Sequence, residues 1–174
     1  MDAEAKPKRK AKDNPWYRLA TRHGEPSKSD DEIAIKNRET WNRWMASLLS
    51  DELRTDLIKS GRWTCKELTP FPEAELRSIE AQVGLYAATA LDFSNTEFDV
   101  FFCAGAFIFP SAVSFVGATF RGAAYFGYAM FRAKADFGSA TFSGDAYLGH
   151  AIFSDATFSA ESPSEDFMRD CKAF

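Results

Sequence analysis

Between residues 115 and 158 the chain places Phe or Leu at every fifth or sixth position: Phe115, Phe120, Phe126, Phe131, Phe137, Phe142, Leu148, Phe153 and Phe158. Ala stands two residues before each of these from Phe120 onward. No helix can bury such a set, because a 3.6-residue period scatters a five-residue spacing around the whole cylinder. Period-two strand geometry fits locally, since an Ala and a Phe two apart share one face, but the phase resets in every block. A coil that turns a corner once per block satisfies both constraints. Each Phe and its Ala then point inward, and each block bonds to the coils above and below at about 4.8 Å.

The number of blocks per turn can be read from the same stretch. Residues 115–132 laid over residues 137–154 give 10 identities in 18 positions at a shift of 22. Blocks of 5, 6, 5 and 6 residues make up that shift. The spacing therefore predicts a four-sided solenoid in which two sides carry an extra residue.

The blocks VGATF, RGAAYF, GYAMF, RAKADF, GSATF, SGDAYL, GHAIF and SDATF resemble those of the pentapeptide-repeat family. The resemblance is strong over residues 115–158, loose over 91–114 and absent from the first 90 residues. It implies a right-handed quadrilateral β-helix with the large and small residues facing the axis. The six-residue blocks depart from the family's regular pattern and bear on how square the cross-section is. The expected fold is thus a mainly β solenoid of about three turns, capped by an N-terminal α-helical region and a short C-terminal helix.

Sixteen of the 17 Phe lie after residue 90, so two differently built regions are joined end to end. Residues 1–28 read as a flexible basic arm, because Lys6, Lys8, Arg9, Lys10 and Lys12 cannot bury anything. Trp16 and Tyr17 within it suggest a short anchor onto the helices. Residues 29–88 read as the helical cap region. Ser29 with Glu32 forms a capping box for a helix to about Leu49 bearing Ile33, Trp41, Trp44, Met45 and Leu48 on one face. A second helix starts near Asp51 and stops at Gly61, and a third runs from Pro72 to Gly84. Their task would be to cover the open N-terminal end of the solenoid, which otherwise exposes unpaired backbone groups and a Phe-lined core.

The solenoid itself is assigned to residues 89–160, with residues 91–114 as an irregular first turn. There Phe93, Phe98, Cys103 and Ile108 hold the inward phase, Phe109-Pro110 breaks it as a bulge or corner loop, and some of Phe101, Phe102 and Phe107 face the cap. Residues 161–174 are assigned to a C-terminal cap whose apolar contacts are Phe167 and Met168.

Function is less constrained. Cys65, Cys103 and Cys171 show no metal-ligand spacing and read as reduced thiols. His23 and His150 join no nucleophile, zinc or phosphate-loop motif. The expectation is a non-enzymatic, cofactor-free cytoplasmic protein with no membrane segment. At a 22-residue pitch, Tyr125 lies under Tyr147, Tyr128 under His150 and Met130 under Ile152, all facing outward. These six residues are the candidate face for a protein partner or a homodimer.

The family resemblance implies an alternative, mimicry of duplex DNA in the protection of a type II topoisomerase such as gyrase. Residues 91–160 carry six acids against three bases, a weak charge for that role. A second alternative is nucleic-acid tethering through Lys6, Lys8, Arg9, Lys10 and Lys12, with a solvated tail as the favoured reading of that segment.

Overall fold

A computed structural model describes residues 7–85, 90–157 and the backbone of 172–173. Three complete coils follow one another. The first contains β2 (Leu91–Asp92), β3 (Thr96–Phe98), β4 (Phe102–Cys103) and β5 (Ile108–Phe109). The second contains β6 (Val113–Ser114), β7 (Thr119–Phe120), β8 (Ala124–Tyr125) and the start of β9 (Met130–Asp136). The third begins on the end of β9 and continues through β10 (Thr141–Phe142), β11 (Ala146–Tyr147) and β12 (Ile152–Thr157). All pairings are parallel, with Phe98 on Phe120, Phe120 on Phe142, Tyr125 on Tyr147, and Phe131 on both Phe109 and Phe153. The shift is 22 residues throughout, except where β12 slips by one between Phe153 and Asp155.

The inward rings stack in columns along the axis. Phe93, Phe115 and Phe137 lie 4.9 and 4.8 Å apart, Phe98, Phe120 and Phe142 lie 4.4 and 4.8 Å apart, and Phe109, Phe131 and Phe153 lie 4.5 and 4.6 Å apart. Interplanar angles within these columns are 3° to 7°, so the rings follow the strand spacing directly. Phe126 breaks the pattern by standing edge-on to Phe115, Phe120 and Phe137.

The first coil is more regular than the sequence suggested. Its large-residue columns are Phe93, Phe98, Ala104 and Phe109, the same 5, 6, 5 spacing as in the coils above. Cys103 and Ile108 therefore do not point at the axis, because they pair with the outward positions Tyr125 and Met130. The misreading arose from an exchange of sizes: Phe102 occupies the small-residue column of Ala124, and Phe107 that of Ala129. Phe107 uses its extra length to stack on Trp41 of the helical region, at 4.8 Å and 17°. Pro110 lies between β5 and β6, where the coil above runs straight through as β9.

The region before the solenoid is helical: α1 (Pro15–Ala20), α2 (Glu32–Ala46), α3 (Asp51–Lys59) and α4 (Glu73–Val83). Asp31 caps α2 by accepting from the Ala34 N–H at 2.7 Å, so the capping residue is Asp31 rather than Ser29. The buried face of α2 includes Trp41, Trp44 and Met45, whereas Ile33 and Leu48 are exposed. Gly84 ends α4 in the left-handed conformation, as its position predicted.

Residues 7–28 are not a free arm. Arg9–Lys10 forms β1, which adds a parallel strand to β3, with Arg9 on Thr96 and Lys10 on Glu97. Asn14 caps α1 through the Trp16 N–H, and Trp16, Tyr17, Leu19 and Ala20 are buried. Tyr17 lies over Phe98 and Phe102, closing the N-terminal end of the ring columns. Apolar content at Trp16, Tyr17 and Leu19 outweighs the charge of the flanking residues, which is why the segment folds.

The cap also satisfies the backbone edge of the first coil. The Trp41 indole donates to the Ile108 carbonyl at 3.0 Å, and the Asn42 amide both donates to the Ala106 carbonyl at 3.0 Å and accepts from the Ile108 N–H at 2.9 Å. Trp63 donates to the same Ala106 carbonyl at 2.8 Å, and Asn14 donates to the Asp92 carbonyl at 3.0 Å. Side chains thus stand where a preceding coil would have placed its own backbone. At the opposite end Lys172–Ala173, β13, pairs with Ile152 and Phe153. Phe158 and the expected C-terminal helix with Phe167 and Met168 lie outside the described residues. Among the described residues no helix is long and apolar enough to cross a membrane.

Candidate functional site

The turn between the third and fourth sides of each coil has the same backbone in all three coils. The Phe126 carbonyl accepts from the Ala129 N–H at 3.0 Å, and the Leu148 carbonyl from the Ala151 N–H at 3.0 Å. The third residue of each turn has positive φ: 55° at Ala106, 60° at Tyr128 and 59° at His150. That conformation suits Gly or Asn and costs about 1–2 kcal/mol for other side chains. Tyr128 and His150 nevertheless hold it, and their rings stack at 4.8 Å and 20° on the outside of the corner.

A second column runs beside them. Tyr125 and Tyr147 stack at 4.9 Å and 8°, and their rings lie flat across the glycines of the same turns. A Cβ placed on Gly127 would sit 2.5 Å from the Tyr125 hydroxyl oxygen and 2.7 Å from the Tyr147 ring, and one on Gly149 would sit 2.3 Å from the Tyr147 hydroxyl oxygen. Only glycine leaves room for that packing. Burial pushes the Tyr125 phenol above its usual range, with the neighbouring Tyr147 acting in the same direction. It remains a neutral hydrogen-bond donor at neutral pH.

The structure therefore brings Tyr125 onto Tyr147, Tyr128 onto His150 and Met130 onto Ile152, the pairings that the 22-residue pitch predicted. The three pairs differ in access. Tyr128 and Tyr147 remain 45% and 44% exposed. Met130 packs with Ile108 against Leu49, Leu57, Trp63 and Leu68, and Ile152 is buried. The chain's own α2–α4 region covers the Met130 side, so the open part of the candidate face is the Tyr and His ladder.

Next to this ladder the helical region and the solenoid enclose a cleft of about 370 Å³. Tyr125 and Tyr128 line it from the solenoid, and Trp63, Arg38 and Arg62 from the helical region. Arg38 is held in place by the buried Glu67, with Nε to Oε1 at 2.6 Å. The other oxygen of Glu67 accepts from the Thr64 N–H and hydroxyl, both at 2.9 Å. Arg38, Arg62 and Trp63 carried no periodic signal in the sequence. The one clue was Gly61, whose φ of 75° turns the chain after α3 and delivers the next two residues to this edge.

The basic residues of the N-terminal segment are engaged within the chain. Lys10 pairs with Glu97 at 2.6 Å and with Asp99 at 3.3 Å, Arg9 donates to the Asp92 carbonyl at 3.2 Å, and Lys8 donates to the Thr119 hydroxyl. Lys12 is exposed, and Lys6 lies outside the described residues. Arg121 adds a second cation to Glu97 at 3.1 Å and to Asp99 at 3.3 Å. These contacts consume two of the six acids of the solenoid as well as the bases.

Residues 115–161 match the family model for pentapeptide repeats, in 9 copies. Searches of curated proteins and of solved structures returned no match. The repeat match and the four-sided, 22-residue coil together identify the β part of this chain as a pentapeptide-repeat solenoid, here joined to an N-terminal helical region.

Proposed function

We propose that the protein is a non-enzymatic interaction module and that its contact face is the aromatic ladder of Tyr125, Tyr128, Tyr147 and His150. One observation carries this reading. Two large aromatic residues are kept in a left-handed backbone conformation, exposed and stacked, at a corner where Asn or Gly would stabilise the turn. Strain of that kind persists where the surrounding structure enforces it, and it collects at sites of use. The rings are also rigid and amphipathic, which suits contact cores. A partner protein would cover them, and a second copy of the chain is one form that partner can take.

Mimicry of duplex DNA finds less support, because Glu97 and Asp99 are matched by Lys10 and Arg121 and the stack is only about three coils tall. Tethering to nucleic acid through the N-terminal basic residues also finds less support, since Lys8, Arg9 and Lys10 are occupied within the fold.

The test replaces Tyr128 and Tyr147 by Asp in the full chain. Light scattering would report self-association, and crosslinking in the native cell followed by recovery would report partners. Loss of either is expected; an unchanged mass together with an unchanged set of crosslinked proteins would remove the proposal.

A further inference from the structure

The cleft beside the ladder has a chemistry of its own. Two arginines, Arg38 and Arg62, are among the residues that line it and no acidic residue is, in a chain of net charge −4. Glu67, the acid paired with Arg38, is buried and engaged with Arg38 and Thr64. It holds Arg38 through charge, since the close Nε to Oε1 approach is not a hydrogen bond, and among the described residues the Arg38 side chain makes no other ion pair and no hydrogen bond. Arg62 is exposed and its side chain makes no ion pair or hydrogen bond among the described residues. The walls are aromatic, and a volume of about 370 Å³ admits one or two side chains rather than a run of phosphates.

Resting on the interaction-face reading above, we infer that this cleft is a carboxylate pocket that receives an acidic segment of the partner protein. Arg38 and Arg62 grip an Asp or Glu carboxylate while an adjoining apolar side chain of that segment lies against Trp63, Tyr125 and Tyr128. Guanidinium is the group best matched to a carboxylate, since its paired N–H donors meet both oxygens. A pre-positioned Arg loses less conformational freedom on binding than a free one. The low charge of the ladder itself leaves this pocket as the part of the face that selects the partner by sign.

The experiment pans a library of random short peptides against the full chain, then measures the recovered peptides by fluorescence polarisation. Wild type, Arg62→Glu and Tyr147→Asp are compared. Arg62 is exposed and its side chain makes no ion pair or hydrogen bond among the described residues, so its replacement should leave the fold intact, which circular dichroism checks; Arg38→Gln would strand Glu67 and is the less safe variant.

The expected result is enrichment of Asp and Glu among recovered peptides, affinity reduced by about tenfold or more in Arg62→Glu, and weakening by added salt. Peptides without acidic enrichment, or binding that survives Arg62→Glu but not Tyr147→Asp, would overturn the pocket and leave the aromatic face standing. A library that yields no binder would overturn both.

Discussion

Two corners of this solenoid solve the same backbone problem with opposite side chains. Both turn with a positive φ at the third residue, 49°, 67° and 55° at Asn95, Gly117 and Ser139 on the first corner and 55°, 60° and 59° at Ala106, Tyr128 and His150 on the other. The first corner is built for local stability. Asp92, Ser114 and Asp136 each accept from the N–H two residues on, at 2.8, 3.4 and 2.9 Å, and small or polar residues take the left-handed position. The second corner has Cys103, Tyr125 and Tyr147 where the first has those acceptors, and the aromatic pair where the first has Gly and Ser. Both corners of the second coil turn between a buried Phe and a buried Ala, Phe115 and Ala118 at one and Phe126 and Ala129 at the other. The contrast therefore lies at the outer surface, and it argues that the second corner is shaped by something outside the chain.

If the inside is equivalent, cutting a ring beneath either corner should cost the same. Phe115→Ala removes a stacked ring before the first corner and Phe126→Ala an edge-on ring before the second, both from fully buried positions. Each is expected to lose about 3–5 kcal/mol in urea unfolding. A difference between them larger than about 2 kcal/mol, on that same scale, would mean that the two corners do not share one core.

The glycines should separate the corners by mechanism. Gly127→Ala forces a Cβ into the stacked Tyr125 and Tyr147 rings, an overpacking cost of about 1–3 kcal/mol. Shrinking the ring is then the cure: Tyr147→Ala in the same chain should recover part of the loss. At Gly117 the left-handed φ adds to a close approach to Asn95, and no such rescue by a second-corner residue is expected. Recovery at both sites, or at neither, would erase the distinction.

Much of this was legible beforehand, for reasons that can be stated. A 22-residue period copies every inward and outward position, so the pairing of Tyr125 with Tyr147 followed from arithmetic once the coil was inferred. In the first coil regularity failed where a neighbour of different kind intervened. Phe102 and Ala104 exchange sizes, and Phe107 is large where the coils above have Ala, because the helical region, and no further coil, lies beneath them. The helix α1 was hidden by its length of 6 residues, too short to show a period, and by the cationic run before it. The arginine-lined cleft was invisible for another reason: Arg38 lies on α2 and Arg62 in the turn after α3, and they meet Tyr125 only in the fold.

Strain at the second corner predicts a gain on relief. Tyr128→Asn restores a residue that tolerates the left-handed conformation, worth about 1 kcal/mol, while giving up an exposed ring stack worth about 0.5 kcal/mol. A net stabilisation of about 0.5 kcal/mol is expected, together with weaker partner recovery. Ser139, the equivalent position on the first corner, supplies the control: Ser139→Tyr should destabilise. Destabilisation by Tyr128→Asn would show that the aromatic stack earns its place through folding, and the functional reading of the corner would lose its main support.

The smallest effect concerns pH and separates the corners by charge. The N–H of Gly138 donates to Asp136 and holds its carboxyl below the usual carboxylate range, helped by Lys134. A depressed carboxylate binds fewer protons folded than unfolded, so its contribution is complete above the ordinary Asp range and disappears as pH falls through the lower folded value. The first corner should loosen there. The second has Tyr147 at the matching position and nothing that titrates in that range, so it should not. Amide exchange at Gly138 against Gly149, followed from neutral pH into acid and corrected for intrinsic rates, reads the two corners in one sample. Asp136→Asn, which keeps the acceptor and removes the proton, should flatten the Gly138 profile; an equal acid response at Gly149 would mean that the acid sensitivity is global and not a property of the corner.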